Sequence, residues 1–139
     1  MESLVIGVSS VVSPLCSSLL RVEPYSTCAH ACTYCYAKWY RPADVSSPLW
    51  PSMLRWLEVL VRRVRRAGVK PVPVRLSTLS DPFQPCEEVY RASLKAMRVC
   101  LRYEHPLIVN CKGVLIARRP WASVASRLAE RGLILVQVS

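Results

Sequence analysis

At 139 residues the chain is one domain's worth of polypeptide, long enough for a modest hydrophobic core. Just over half of it is apolar (52%), which excludes disordered and collagen-like classes, and no run is long and apolar enough for a membrane helix. A net charge of +10 invites a nucleic-acid partner, although arginines on solvated helix faces would give the same number.

The opening segment, MESLVIGVSSVVSPLC, lacks a basic start, carries Glu2 and is broken by Pro14, which argues against a secretory signal. Seven cysteines, an odd number, argue against a closed disulfide framework. The expected location is the cytoplasm, where thiols stay reduced. Residues 1–18 are expected to form an N-terminal extension and residues 19–139 the domain proper.

The first predicted element is a short strand over 19–25, LLRVEPY, leading into a cysteine-rich loop. RPADVSSPLWP reads as a loop. A helix follows over Ser52–Ala67, with Met53, Leu54, Leu57, Leu60, Val61 and Val64 as one apolar stripe and Gly68 as its stop. VPVRLS (72–77) is the second strand, and DPFQP a proline-braced turn. One helix is expected over Glu87–Tyr103, with Tyr90, Leu94, Met97 and Leu101 turned inward. PLIVNC (106–111) is the third strand. Pro120 opens a third helix with Trp121, Val124 and Leu128 on its buried face, and Gly132 ends it. LILVQV (133–138) is apolar nearly throughout, as in a buried parallel strand.

Alternating strands and helices predict an α/β fold: about four parallel strands with three helices, an open sheet or part of a (βα) barrel. In such folds the chemistry gathers beyond the carboxyl ends of the strands. The cysteine loop, STLSDPFQP, NCKG and Ser139 all fall there.

In CAHACTYCYA (28–37), three thiols stand within eight positions. Thiolates suit zinc or iron–sulfur clusters. A structural zinc site needs a fourth ligand, and the sequence has no second paired motif to supply it. His30 lies in the same loop, where it is hard to fold back onto the same ion. A local hydrogen bond is its plainer role. On an iron–sulfur cubane, three cysteines would leave one iron open to a ligand. Cys16, Cys86 and Cys100 read as small buried residues. Cys111 is the spare thiol on the working face. The arginines of 62–66 read as a solvated helix end that complements the helix dipole. Lys38, Arg41, Arg118 and Arg119 are nearer the working face and are the candidates for a phosphate-bearing substrate.

The spacing C-x-x-x-C-x-x-C resembles the signature of the radical S-adenosylmethionine superfamily. PYSTCAHACTYCYA and SDPFQPCE further resemble P-Y-x-x-C-x-H-x-C-x-Y-C-Y-A and T-D-P-Y-Q-P-x-E of its spore photoproduct lyase-like group, the DNA repair photolyase-like proteins. Lys112 stands where that group has T-K-S. The resemblance covers most of residues 13–139.

It implies that Cys28, Cys32 and Cys35 ligate a 4Fe–4S cluster. The open iron would chelate S-adenosylmethionine, and an electron from the cluster would cleave it to a 5′-deoxyadenosyl radical. Tyr34 and Tyr36 would flank the bound S-adenosylmethionine, with packing as their plainer role. Ser80 and Asp81 would meet its methionine end, Asp81 through the ammonium. Lys112 would pair with the carboxylate, and Ser139 is a further candidate contact. An external electron donor is implied, with nucleic acid as one candidate substrate and no membrane partner.

There are departures from the group. Ser80 replaces threonine, Cys111 and Gly113 replace the threonine and serine around Lys112, and Arg119 replaces aspartate. Thr78 stands where the lyases proper have a hydrogen-donating cysteine, which counts against thymine photoproduct repair by that route. The family core has about six strand–helix units, against the eight of a closed barrel. A piece of a longer protein, a shortened relative, and one half of a barrel completed by a second chain all remain open. So do two other functions: an inactive iron–sulfur or zinc module, and a basic nucleic-acid-binding domain with a structural metal.

Overall fold

The computed structural model describes residues 6–8, 20–39 and 50–139. Five strands form one sheet in the order β1-β2-β3-β4-β5: Ile6–Val8, Leu20–Val22, Val74–Leu76, Leu107–Cys111 and Ile134–Val138. β2 to β5 run parallel, and β1 pairs antiparallel with β2. The helices are α1 (Trp50–Ala67), α2 (Glu87–Tyr90), α3 (Ala92–Tyr103) and α4 (Trp121–Glu130), with short 3-10 turns at Tyr36–Trp39 and Val114–Ala117. The expected α/β order with four parallel strands is present. β1 falls in the expected N-terminal extension. The other residues of that extension, with Cys16, and the expected loop as far as Leu49 lie outside the described residues.

Alternation along the strands sorts the two sheet faces. Val22, Val74, Leu76, Leu107 and Val109 point to one face and join Met53, Leu57, Val61, Leu94, Met97 and Leu128 in a single core. α1 packs on α3, and α3 on α4, over that face. Each fully buried valine or leucine there contributes about 1.5–3 kcal/mol. The neighbouring positions on the other face are mostly polar: Arg21, Glu23, Arg75, Ser77, Asn110 and Gln137.

α1 carries the expected stripe, with Met53, Leu57 and Val61 buried and Leu54 and Leu60 half-buried. It stops at Gly68, whose φ of +64° suits a residue without a Cβ. Beyond the stripe its arginines are solvated. Arg65 reaches Glu104 at 3.7 Å and the Arg102 carbonyl at 3.2 Å, as a helix end would.

Two expectations fail. The helix over Glu87–Tyr103 is broken at Arg91, whose φ is +52°, so among the described residues there are four α-helices and not three. The cause is Glu87. Its carboxylate turns inward and accepts the backbone N–H groups of Ser93 (3.0 Å) and Leu94 (2.9 Å), so a fresh helix starts against it. The break also turns Tyr90 outward, to 41% exposed, while Leu94, Met97 and Leu101 stay buried as expected. The second failure is β5. Leu135, Val136 and Val138 are exposed, because β5 has a strand neighbour on one side alone among the described residues.

Candidate functional site

The loops that leave the carboxyl ends of β2, β3 and β4, with Ser139 after β5, line one cavity of about 270 Å³. Cys28, Cys32, Cys35, Tyr34, Tyr36, Ser80, Asp81, Lys112 and Ser139, the cluster and S-adenosylmethionine candidates that the resemblance implied, line it, together with His30, Thr78 and Cys111. The parallel sheet accounts for the gathering: every strand there ends at the same edge.

The β3 loop is shaped by a residue the sequence reading passed over. Glu23 follows β2, is 1% exposed, and accepts from Thr78 N (2.6 Å), Leu79 N (3.0 Å) and the Thr78 hydroxyl (2.9 Å) through one oxygen. Its other oxygen takes the Ser77 hydroxyl at 2.8 Å and lies 3.4 Å from that of Ser80. Both oxygens of this buried carboxylate therefore have hydrogen-bond donors. It holds Ser77 at a φ of +62°, a conformation that a non-glycine residue adopts only when its surroundings enforce it.

Asp81, 6% exposed, ties three loops together. One oxygen accepts Phe83 N at 2.7 Å. The other accepts Lys112 N (2.6 Å) and Gly113 N (2.9 Å) and lies 3.2 Å from His30 Nε2. His30 therefore makes a long-range contact instead of the local one expected. The close approach explains Gly113: a Cβ there would sit 2.3 Å from the Phe83 carbonyl oxygen, so the serine of the related motif has no room here.

The Lys112 ammonium donates to the Ser139 carbonyl and lies 3.1 Å from both that oxygen and the Ser139 hydroxyl. It also stands 5.2 Å from the centre of the Tyr34 ring. Interaction with the Tyr34 hydroxyl, then with nearby Cys32 and Asp81, holds its pKa above the usual lysine value. Tyr34 is 75% exposed, whereas Tyr36 donates its hydroxyl to the Thr78 carbonyl at 2.8 Å.

Cys28, Cys32 and Cys35 are free and half-buried. Cys35 N donates to Cys32 O at 3.2 Å in a tight turn. Among the described residues no three His, Cys, Asp or Glu side chains converge closely enough to chelate a single ion. The donor set, three free thiols on one open cavity, is of the soft kind that iron–sulfur clusters take, and a cluster spreads its irons over separate corners. Cys111 lies on the same cavity, 4% exposed, its thiol pushed up to about 11 by burial and by Asp81. Cys100 is fully buried, with a thiol near 12, whereas Cys86 is only half-buried. Of the residues considered for a phosphate-bearing substrate, Arg118 pairs with Glu88 at 3.6 Å and Arg41 lies outside the described residues.

A second buried acid stands behind the cavity. Glu87, 0% exposed, accepts the Tyr25 hydroxyl, Trp121 Nε1 (2.7 Å) and the two α3 amides. Burial and then Glu87 itself hold the Tyr25 hydroxyl well above the usual tyrosine pKa. Gln84, 2% exposed, bonds the cysteine loop on both sides of Cys28. A signal for these residues was present: D-x-x-Q-x-x-E inside a proline-braced turn puts three polar side chains on one side.

Comparison with known proteins gives no match: no family model, no curated protein and no solved structure matches the chain.

Proposed function

We propose that the chain is the cluster-binding part of a radical S-adenosylmethionine protein of the spore photoproduct lyase-like type. One observation carries the reading. The residues of the cysteine motif, of SDPFQP and of the lysine loop, from three separate loops, share a single cavity with Ser139 at the carboxyl end of a parallel sheet.

In this reading Cys28, Cys32 and Cys35 hold a 4Fe–4S cluster as thiolates. The cluster, when bound, supplies an electron and an open iron for S-adenosylmethionine. The chain's own residues set the polarity around it. Lys112, braced on Ser139, presents a cation to a carboxylate. Asp81 and Ser80 add negative and hydroxyl character to the same lining, which favours an ammonium. The exposed Tyr34 ring offers a flat surface beside them.

Thr78 has its hydroxyl bound to Glu23 and no thiol, so thymine photoproduct repair by a cysteine at that position is not the proposed reaction. Hydrogen abstraction from a different substrate, nucleic acid among the candidates, is. An external one-electron donor is required. The exposed β5 is where a second chain or further strands would continue the barrel.

The test is anaerobic reconstitution with iron and sulfide, followed by EPR of the reduced protein. A 4Fe–4S signal that changes on adding S-adenosylmethionine is the expected result, lost when Cys28, Cys32 and Cys35 are all changed to alanine. Zinc bound in place of a cluster, or full iron incorporation in the triple variant, sinks the reading.

A further inference from the structure

We propose that Asp81, Gln84 and Glu87 form a splint that sets the shape of the cysteine stretch before any metal arrives, with Gln84 as the positioning residue for Cys28. The importance of Cys28 rests on the function proposed above; the splint itself does not.

Three contacts run in order between the two stretches. Tyr25 donates to Glu87, Gln84 engages Thr27 and Ala29, and His30 meets Asp81. As one stretch advances the other recedes, so they lie side by side in opposite directions. Part of the spacing has a backbone cause. Glu87 N bonds Gln84 O at 2.9 Å, so a three-residue turn brings 84 and 87 to one side, while the Asp81 side chain braces the preceding turn by accepting Phe83 N at 2.7 Å. Pro82 and Pro85 fix φ within that segment.

Gln84 sits at the centre. Its Oε1 accepts Ala29 N at 2.9 Å and its Nε2 donates to Thr27 O at 2.8 Å. The two partners fix which amide atom is which, since one is a donor and the other an acceptor. A side-chain amide is the group that offers a donor and an acceptor side by side, so it grips both peptide units flanking Cys28.

Beyond the gripped segment, Ala31 has a φ of +47°. An alanine adopts the left-handed region only where the neighbouring structure requires it. The splint supplies that requirement through His30. Binding a metal with a loose loop would carry the full ordering entropy of that loop, whereas a preset loop has lost it on folding.

The experiment uses the full chain, reduced and metal-free. Amide exchange is followed residue by residue, and alkylation by iodoacetamide is followed cysteine by cysteine. In the unaltered chain, Ala29 N–H is expected to exchange at least about tenfold more slowly than that of Thr33, exposed in the same loop. Gln84→Met keeps the volume and removes both bonds. It should abolish that protection and speed alkylation of Cys28 about tenfold, with Cys100 and Cys111 unchanged. Gln84→Glu keeps an acceptor for Ala29 N and loses the donor to Thr27, so Ala29 should remain protected.

Three results overturn the proposal: an unprotected Ala29 in the unaltered chain, a Cys28 unmoved by Gln84→Met, or equal acceleration at all cysteines. If Gln84→Met does not fold, the unaltered chain and Gln84→Glu still decide it. Because no metal is present, a chain that passes this test and takes up no cluster keeps the splint and loses the function proposed above.

Discussion

β4 and β5 are adjacent parallel strands of five residues each, LIVNC and ILVQV, with nearly the same apolar content. Yet β4 is buried at four of its five positions, and β5 is exposed at four of its five. β4 has β3 and β5 beside it, and its Leu107 and Val109 sit inside the buried core. β5 has β4 on one side, with Ile134 partly buried against that core. Composition makes a strand; its neighbours decide whether the strand is core. The same division runs through the polar residues. Glu23, Gln84 and Glu87 are buried and locked by their partners, while Tyr34, Lys112 and Ser139 line the open cavity.

The largest effect should come from breaking the packed side at its polar centre. Glu87→Ala leaves the Tyr25 hydroxyl, Trp121 Nε1 and two α3 amides without their acceptor. Each stranded group costs about 1–3 kcal/mol, so a loss of about 3–5 kcal/mol is expected after partial rescue by water. Glu87→Gln, which keeps one carbonyl oxygen, should lose less. Chemical denaturation measures both; an alanine variant within about 1 kcal/mol of the parent would remove Glu87 from the centre of the fold.

A matched pair tests the two strands directly. Val109 in β4 is fully buried and Val136 in β5 is 38% exposed. Val109→Ala should cost about 2 kcal/mol, from two methyl groups and the space they leave, and Val136→Ala about half of that or less. Equal losses would mean that β5 is covered in solution, which would reveal the neighbour that a continued barrel requires.

The order of strands and helices was legible because apolar periodicity survives in LIVNC, in the Met53–Leu57–Val61 stripe and in Trp121–Val124–Leu128. The meeting of the site residues was legible for a topological reason: parallel strands end at one edge, so the loops that follow them must share it. What the sequence hid has one physical origin. A glutamate in a strand end or helix start reads as surface, because its burial depends on donors that arrive from far along the chain. Glu23 is satisfied from residues 77–80, and Glu87 from Tyr25, Trp121 and α3. The break at Arg91 and the outward turn of Tyr90 follow from that unread burial. His30 was misread for the same reason, since its partner Asp81 lies on another loop.

The smallest expected effect is a pH dependence confined to the packed side. His105 is 3% exposed, just before β4, with Nε2 3.1 Å from the Val72 carbonyl at the approach to β3. Burial lowers its pKa below the ordinary value of about 6.5, and the Val72 contact offsets part of that. The folded chain therefore takes up this proton less readily than the unfolded chain does. Above pH 6.5 both states leave the ring neutral and the residue adds no slope. As the pH falls below that value the unfolded state gains the proton first, so stability declines until the folded pKa is passed. Urea midpoints taken between pH 8 and pH 5 should show this decline in the parent and a flatter profile in His105→Gln. Identical profiles would place the acid sensitivity elsewhere and leave His105 as a packing residue alone.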